Sequence, residues 1–288
     1  MSVEVEAPQV QPLGTPIKGP AAIGVDARRF FNLTRTLAVT EFKLRFFGSA
    51  LGYVWQLVRP LLLFSVMYVV FTHALHVRSR ATFFPVALLS GIVMFVFLSE
   101  TTGAAVTSLV DREPLVRKVQ FPRLVVPLSV VLTGLMNLAL NIVVVLIFLL
   151  LSGGSVGLRW LEIPVLLAIL VLFSASVSTL LSALYVRYRD IKPVWEVFLQ
   201  ALFYATPIFY TVDLVHNETL RRLMLLNPLA VVLQQFRHAV IDPSSHPSAA
   251  TAVGGWTFLL IPAGILLLLV VWSYRYFDRE APRIAEDL

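Results

Sequence analysis

The chain has 288 residues, 58% of them hydrophobic and only 14% charged, with a mean hydropathy of +0.82 and a formal charge of +6. Soluble domains carry roughly 45–50% apolar and about 25% charged residues, so this composition excludes a wholly water-soluble protein. The lack of cysteine excludes disulfides, iron–sulfur clusters and thiolate zinc sites. In a membrane protein, the basic excess fixes orientation in loops rather than binding nucleic acid.

Residues 1–25 place Pro8, Pro12, Pro16 and Pro20 among Glu4 and Glu6. They lack the basic start and apolar core of a secretory signal, and proline at that density opposes helix and sheet. A disordered cytoplasmic tail is expected there. Residues 26–58 intersperse Phe30, Phe31, Leu33, Leu37, Phe42 and Leu44 with Arg28, Arg35, Lys43 and Arg45. That pattern predicts an amphipathic interfacial helix, its apolar side in lipid and its basic side on headgroups.

Beyond it, stretches of about 20 mostly apolar residues mark membrane crossings. These are 60–77, 82–110 (interrupted by Glu100), 124–151, 163–186, 193–210 (with Glu196 and Pro207) and 256–274. The reading is an all-α integral membrane protein. It has a six-helix transmembrane domain over 59–275 and a cytoplasmic C-terminus at 276–288. Between spans five and six, residues 211–255 hold two apolar runs too short to cross, parted by Asn227-Pro228. They predict a short outer helical hairpin, re-entrant or capping the surface. Lysine and arginine crowd the side of the termini, leaving Arg78, Arg80, Arg159, Arg221, Arg222 and Arg237 on the other. Both termini are therefore expected in the cytoplasm.

Catalytic patterns are missing: no HExxH, no GxSxG, and no lysine preceded by glycine as a Walker A loop requires. This chain is not expected to hydrolyse ATP or act as an enzyme. His73 and His76 are three apart but have no third ligand near them, so no metal is expected. Glu100 is costly inside a span; it reads equally as a transport residue or as a packing carboxylate paired with a loop base. Thr133, Asn137 and Asn141, and likewise Ser174, Ser178 and Ser182, repeat every four residues, the spacing of helix-to-helix packing in lipid. Phe95, Phe97, Phe203, Tyr204, Phe209 and Tyr210 fall in or near the outer half of spans two and five. Aromatic faces of that kind suit an interfacial belt or a path for sugar rings.

Four segments carry a family resemblance: RFFGSALGYVWQLVRPLLL (45–63), LVRKVQFPRLVVPLSVVLTGLMN (115–137), LLSALYVRYRDIKPVWEVFLQALFYATPIFY (180–210) and LLNPLAVVLQQFRHAV (225–240). In order and interval they resemble ABC-type polysaccharide export permeases, the transmembrane subunits of O-antigen, teichoic acid and galactan exporters. The resemblance implies a homodimer paired with two copies of a separate ATPase. ATP and Mg bind to that ATPase and no cofactor binds to this chain. The cargo would be a lipid-linked polysaccharide, moved from the cytoplasm to the outer face of a bacterial inner membrane. It also implies contact with the ATPase through Phe42 and Arg45, and through a coupling loop holding Glu113, Pro114, Arg117 and Lys118. A substrate path would then include Phe95, Phe97, Phe203, Tyr204, Tyr210 and Glu100. A teichoic-type polymer, lipid or drug as cargo is the alternative; an ion-driven secondary transporter is a more distant one, expected to show inverted repeats and midplane charges.

Overall fold

A computed structural model describes residues 26–46, 52, 54–74, 83–114, 121–212, 215–282 and 284. The expected tail at 1–25, His76, and the loop residues Arg117 and Lys118 lie outside them. Among the described residues every regular element is helical: α1 Ala27–Phe46, α2 Val54–Val69 (ending in a π turn, Val70–Ala74), α3 Phe84–Asp111, α4 Val125–Leu151, α5 Ile163–Arg187, α6 Ile191–Ala205, α7 Glu218–Met224, α8 Pro228–Phe236 (ending in a π turn, Arg237–Ile241), α9 Ala249–Ala252 and α10 Leu260–Glu280. Single 3-10 turns at Leu158–Glu162 and Trp256–Leu259 lead into α5 and α10.

Five segments are long and apolar enough to cross a bilayer: Val54–Thr72, Phe84–Asp111, Val125–Leu151, Leu158–Arg187 and Trp256–Glu280. The expected span at 193–210 is different. Its helix, α6, has 15 residues, about 22 Å of rise against a hydrocarbon core of about 30 Å. Thr206 leaves the helix in an extended conformation just before Pro207, a residue that disfavours α geometry in its predecessor. The first span also begins earlier than expected: Val54–Arg59 belong to α2, and Pro60 lies inside that helix. The amphipathic segment therefore divides into α1 and the start of α2 instead of running through to 58.

The helices alternate in direction, which defines two faces. One holds the ends of α3, α5 and α10 and the starts of α2, α4 and α6; we call it the terminal face. The other holds the 151–163 turn and the segment from 206 to 259, and is the far face. Gly153, at φ +91°, turns the chain after α4, a backbone shape that side-chain-bearing residues resist.

At the centre stands α3, with 78% of its most apolar stretch buried, against 6% for α2 and 17% for the last span. A helix apolar on all sides suits such a position. The small-residue faces pack as their spacing suggests: Ser174, Ser178 and Ser182 are fully buried on α5, and Thr133 and Asn137 are buried on α4. Gly134 permits the closest approach. A Cβ there would sit 2.2 Å from Thr101 Oγ1 of α3.

On the terminal face α1 is not simply a float in lipid. Its Leu33 and Leu37 pack against Leu109, Val125, Val186 and Phe277. Ala38 is fully buried, its carbonyl accepting from Thr133 at 3.2 Å. Phe31 and Leu44 stay exposed, on different sides of the helix.

Candidate functional site

Sequence-predicted path residues gather in two places. Near the far face, Phe95 of α3 meets Phe203 of α6 at a centroid distance of 4.9 Å. Phe203 meets Phe209 edge-on at 5.0 Å and Tyr204 at 5.5 Å. Phe209 continues to Tyr210 at 6.2 Å and to Phe71 of the first span at 5.8 Å. These separations and tilts are those at which aromatic pairs attract beyond their area. Tyr204 is 68% exposed at the open edge of the stack.

Phe97 lies elsewhere. Two residues along a helix rotate the side chain by about 200°, so Phe97 turns from the aromatic stack towards α4. It lines a polar cavity of about 30 Å³ with Arg45, Gln56, Glu100, Thr101, Thr133, Gly134, Asn137 and Asn141. Such a volume holds a water molecule or two. Thr101 Oγ1 and Asn137 Oδ1 are buried there with no hydrogen-bond partner among the described residues. Glu100 accepts a 2.7 Å ion pair from Arg59 of α2, the packing reading of that carboxylate. The cavity thus joins Arg45, expected at the ATPase, to Phe97 and Glu100, expected on the path.

The expected ATPase contacts lie on the terminal face. Phe42 and Arg45 are on the last turns of α1, and Glu113 and Pro114 follow α3. No motif or spacing hinted at what ties these pieces together. Glu41 of α1 forms an ion pair with Arg112, whose Nη1 also donates to Ser129 Oγ of α4 at 3.1 Å. Burial lowers the pKa of that guanidinium from its ordinary value. One contact set thereby links α1, the end of α3 and the start of α4.

A second missed residue is Arg237, 1% exposed at the end of α8. Its Nη1 donates to the carbonyls of Pro207 and Tyr210 at 2.7 and 3.2 Å. Its Nη2 donates to those of Ile208 and Ala87 at 2.7 and 3.3 Å. The chain after α6 cannot bond itself as a helix would, and Arg237 supplies the donors. The same clamp fixes the backbone that carries Phe209 and Tyr210. Asn227 adds to it, capping α8 through the Leu229 amide while donating to Thr206 Oγ1 at 3.0 Å. The sequence signal was Arg237 itself, a charge within an apolar run.

Beside the clamp, His246 is fully buried and its ring nitrogens have no hydrogen-bond partner among the described residues. Burial, then the Arg237 charge, lowers its pKa to about 4, against the opposing pull of Asp242. Asp242 itself is held below its usual range: burial acts to raise it, but hydrogen bonds from Ser244 and Ser245 outweigh that.

Away from the stack, α6 has a side that none of the described residues covers. Lys192, Glu196, Gln200 and Tyr204 repeat every four residues, and all four are exposed. They form a polar stripe along one face. Glutamate and glutamine are costly against hydrocarbon. The stripe therefore faces something other than lipid tails.

Residues 32–241 match the ABC-2 type transporter family. The chain is 29% identical over 261 residues to the O-antigen export system permease protein RfbA of Myxococcus xanthus, covering 90% of this chain and 96% of the relative. It is 28% identical over 259 residues to an RfbA of Klebsiella pneumoniae, covering 90% and 95%. Similarity to the polysialic acid transport protein KpsM of Escherichia coli is 22% over 210 residues, covering 71% and 80%.

Proposed function

Because this chain belongs to the ABC-2 type transporter family, we propose that it is the membrane-spanning subunit of an ATP-driven exporter of lipid-linked polysaccharide. Relatives that align along almost its whole length are O-antigen export permeases, which supports a glycan as cargo. The observation within the molecule that carries the reading is the exposed polar stripe of α6, running up to the aromatic stack of Phe95, Phe203, Tyr204 and Tyr210. A polar surface inside a membrane lines a water-filled path, and aromatic rings give a bulky, mostly uncharged sugar chain faces to slide on.

On this reading two copies meet across α6 and enclose one path between their stripes. There are six crossings, with α6 and the clamped 206–210 segment forming the fifth and α7 and α8 the outer hairpin. The basic residues of α1 and of the terminal-face connections put that face in the cytoplasm. Two copies of a separate ATPase, which bind the ATP and Mg, dock there against Phe42, Arg45, Glu113, Pro114, Arg117 and Lys118. The Glu41–Arg112–Ser129 contacts carry their movement to α3 and α4. Glu100, held by Arg59, anchors α2 to α3 at the entrance.

Co-expression with the ATPase encoded beside this chain tests the assignment. A co-purifying complex whose hydrolysis is stimulated by a lipid-linked glycan is the expected result. A folded, inserted chain that does not bind the ATPase would overturn it. Replacing Arg117 and Lys118 together by Glu should weaken the complex and spare insertion; unchanged co-purification would remove that loop from the docking surface.

A further inference from the structure

We propose that the groove between α5, α8 and α10 is a binding site for one phospholipid of the far-face leaflet, selective for headgroups that carry a primary amine. The groove has a volume of about 580 Å³ and is lined by Leu166, Leu172, Val232, Ala263 and Leu266 among other apolar side chains. It lies between two membrane-spanning segments, Leu158–Arg187 and Trp256–Glu280. Water is excluded from such a place, and an unfilled groove forfeits dispersion contacts along its whole wall. A flexible acyl chain fills irregular apolar space without leaving backbone groups unbonded.

Its length and its ends select the occupant. From Glu162 to Leu172 is ten residues of α5, about 15 Å of rise, or half the hydrocarbon core. That matches one leaflet, where a protein helix crossing beside α5 would need twice the distance. At the far-face end stand Trp256, a residue type favoured at the headgroup level, and Glu162, the one charged side chain among the described residues that line the groove. Glu162 Oε2 accepts from Gln235 Nε2 at 2.7 Å, and Gln235 Oε1 in turn accepts from the Ala249 amide at 3.2 Å. The carboxylate is therefore held in place. An ammonium headgroup complements it and an anionic headgroup does not. The chain as a whole carries +6 and would by itself favour anionic lipid, so an amine preference here runs against the general field.

The test uses the full chain with its ATPase in nanodiscs containing equal amounts of phosphatidylethanolamine and phosphatidylglycerol. One lipid is brominated on its acyl chain in each sample. Trp256 fluorescence, isolated as the difference from Trp256→Phe, reports which brominated lipid fills the groove. Quenching should favour the brominated ethanolamine lipid by about two- to fivefold, the ratio expected of one interfacial ion pair. Glu162→Gln should equalise the two lipids while keeping the quench, and Ala263→Phe should diminish it by filling the groove. Equal quenching by both lipids in the wild type would mean an unselective lipid film and would overturn the proposal. Absence of quenching by either would mean that protein covers the groove, and would overturn it equally. Neither result bears on ATPase association, so the lipid site and the exporter reading fail separately.

Discussion

Replacing Arg237 by Met removes the clamp while keeping an apolar stem of similar reach. Four carbonyls lose a charged donor, two of them, on Pro207 and Ile208, at 2.7 Å. Leaving buried carbonyls unsatisfied costs about 1–3 kcal/mol each. Relaxation of the turn recovers part of that, so a local loss of about 3 kcal/mol is expected. At about 1.4 kcal/mol per tenfold, amides of residues 206–212 should exchange with deuterium about a hundredfold faster, while α3 and α4 keep their protection. Arg237→Lys should fall between, since an ammonium cannot reach all four carbonyls as the fork does. Hydrogen exchange resolved by peptide mass reads this directly. Unchanged protection in the Met variant would refute the clamp and leave α6 and the segment after it held by packing alone.

The same reasoning separates Phe203 of α6 from Phe97 of α3. Phe203→Ala should depress export and also cost stability through its three ring contacts, whereas Phe97→Ala should lower stability and leave export per folded protein unchanged; the proteoliposome transport assay and intrinsic-fluorescence melting together distinguish them, and the reverse pattern in export would move the path to the Phe97 side. Gly134→Ala should destabilise by about 1–3 kcal/mol through overpacking, and Thr101→Ala should restore most of it by removing the hydroxyl that lies 2.2 Å from the new Cβ; a second substitution that rescues nothing would place the strain elsewhere. His246, neutral when folded and lowered to about 4, contributes stability that is full above its ordinary value near 6.5 and is lost as pH falls through about 4. The loss amounts to about 3 kcal/mol. His246→Phe should flatten the dependence of melting temperature on pH between about 6.5 and 4, and an unaltered slope would assign it to other groups.

The apolar runs made five crossings legible because a stretch of about twenty mostly apolar residues has few other solutions. Serine and small-residue spacing on α5 made its packing face legible for a similar local reason. What could not be read were relations between distant positions. The partner of Glu100 could not be read: Arg59 lies 41 residues away in sequence and 2.7 Å away in space. Phe95 and Phe97 looked like one aromatic feature, yet helical rotation sends one to α6 and the other to α4. The fifth stretch read as continuous because Thr206 and Pro207 are themselves uncharged; the backbone reveals the break, and Asn227 and Arg237, 30 residues on from Pro207, hold it.

The polar side of α6 bears on how the protein is made. A helix 15 residues long carrying Glu196 and Gln200 is a poor substrate for the insertion machinery, where a mid-helix charge costs about 2.5–3.5 kcal/mol. On the proposed six-crossing arrangement it would enter the membrane late, drawn in by neighbours already seated and sealed by Arg237 from the segment translated after it. On the proposed pairing of two copies, a newly made chain would display that stripe to lipid until the second arrives, and scarce partners would leave the orphan visible to membrane proteases.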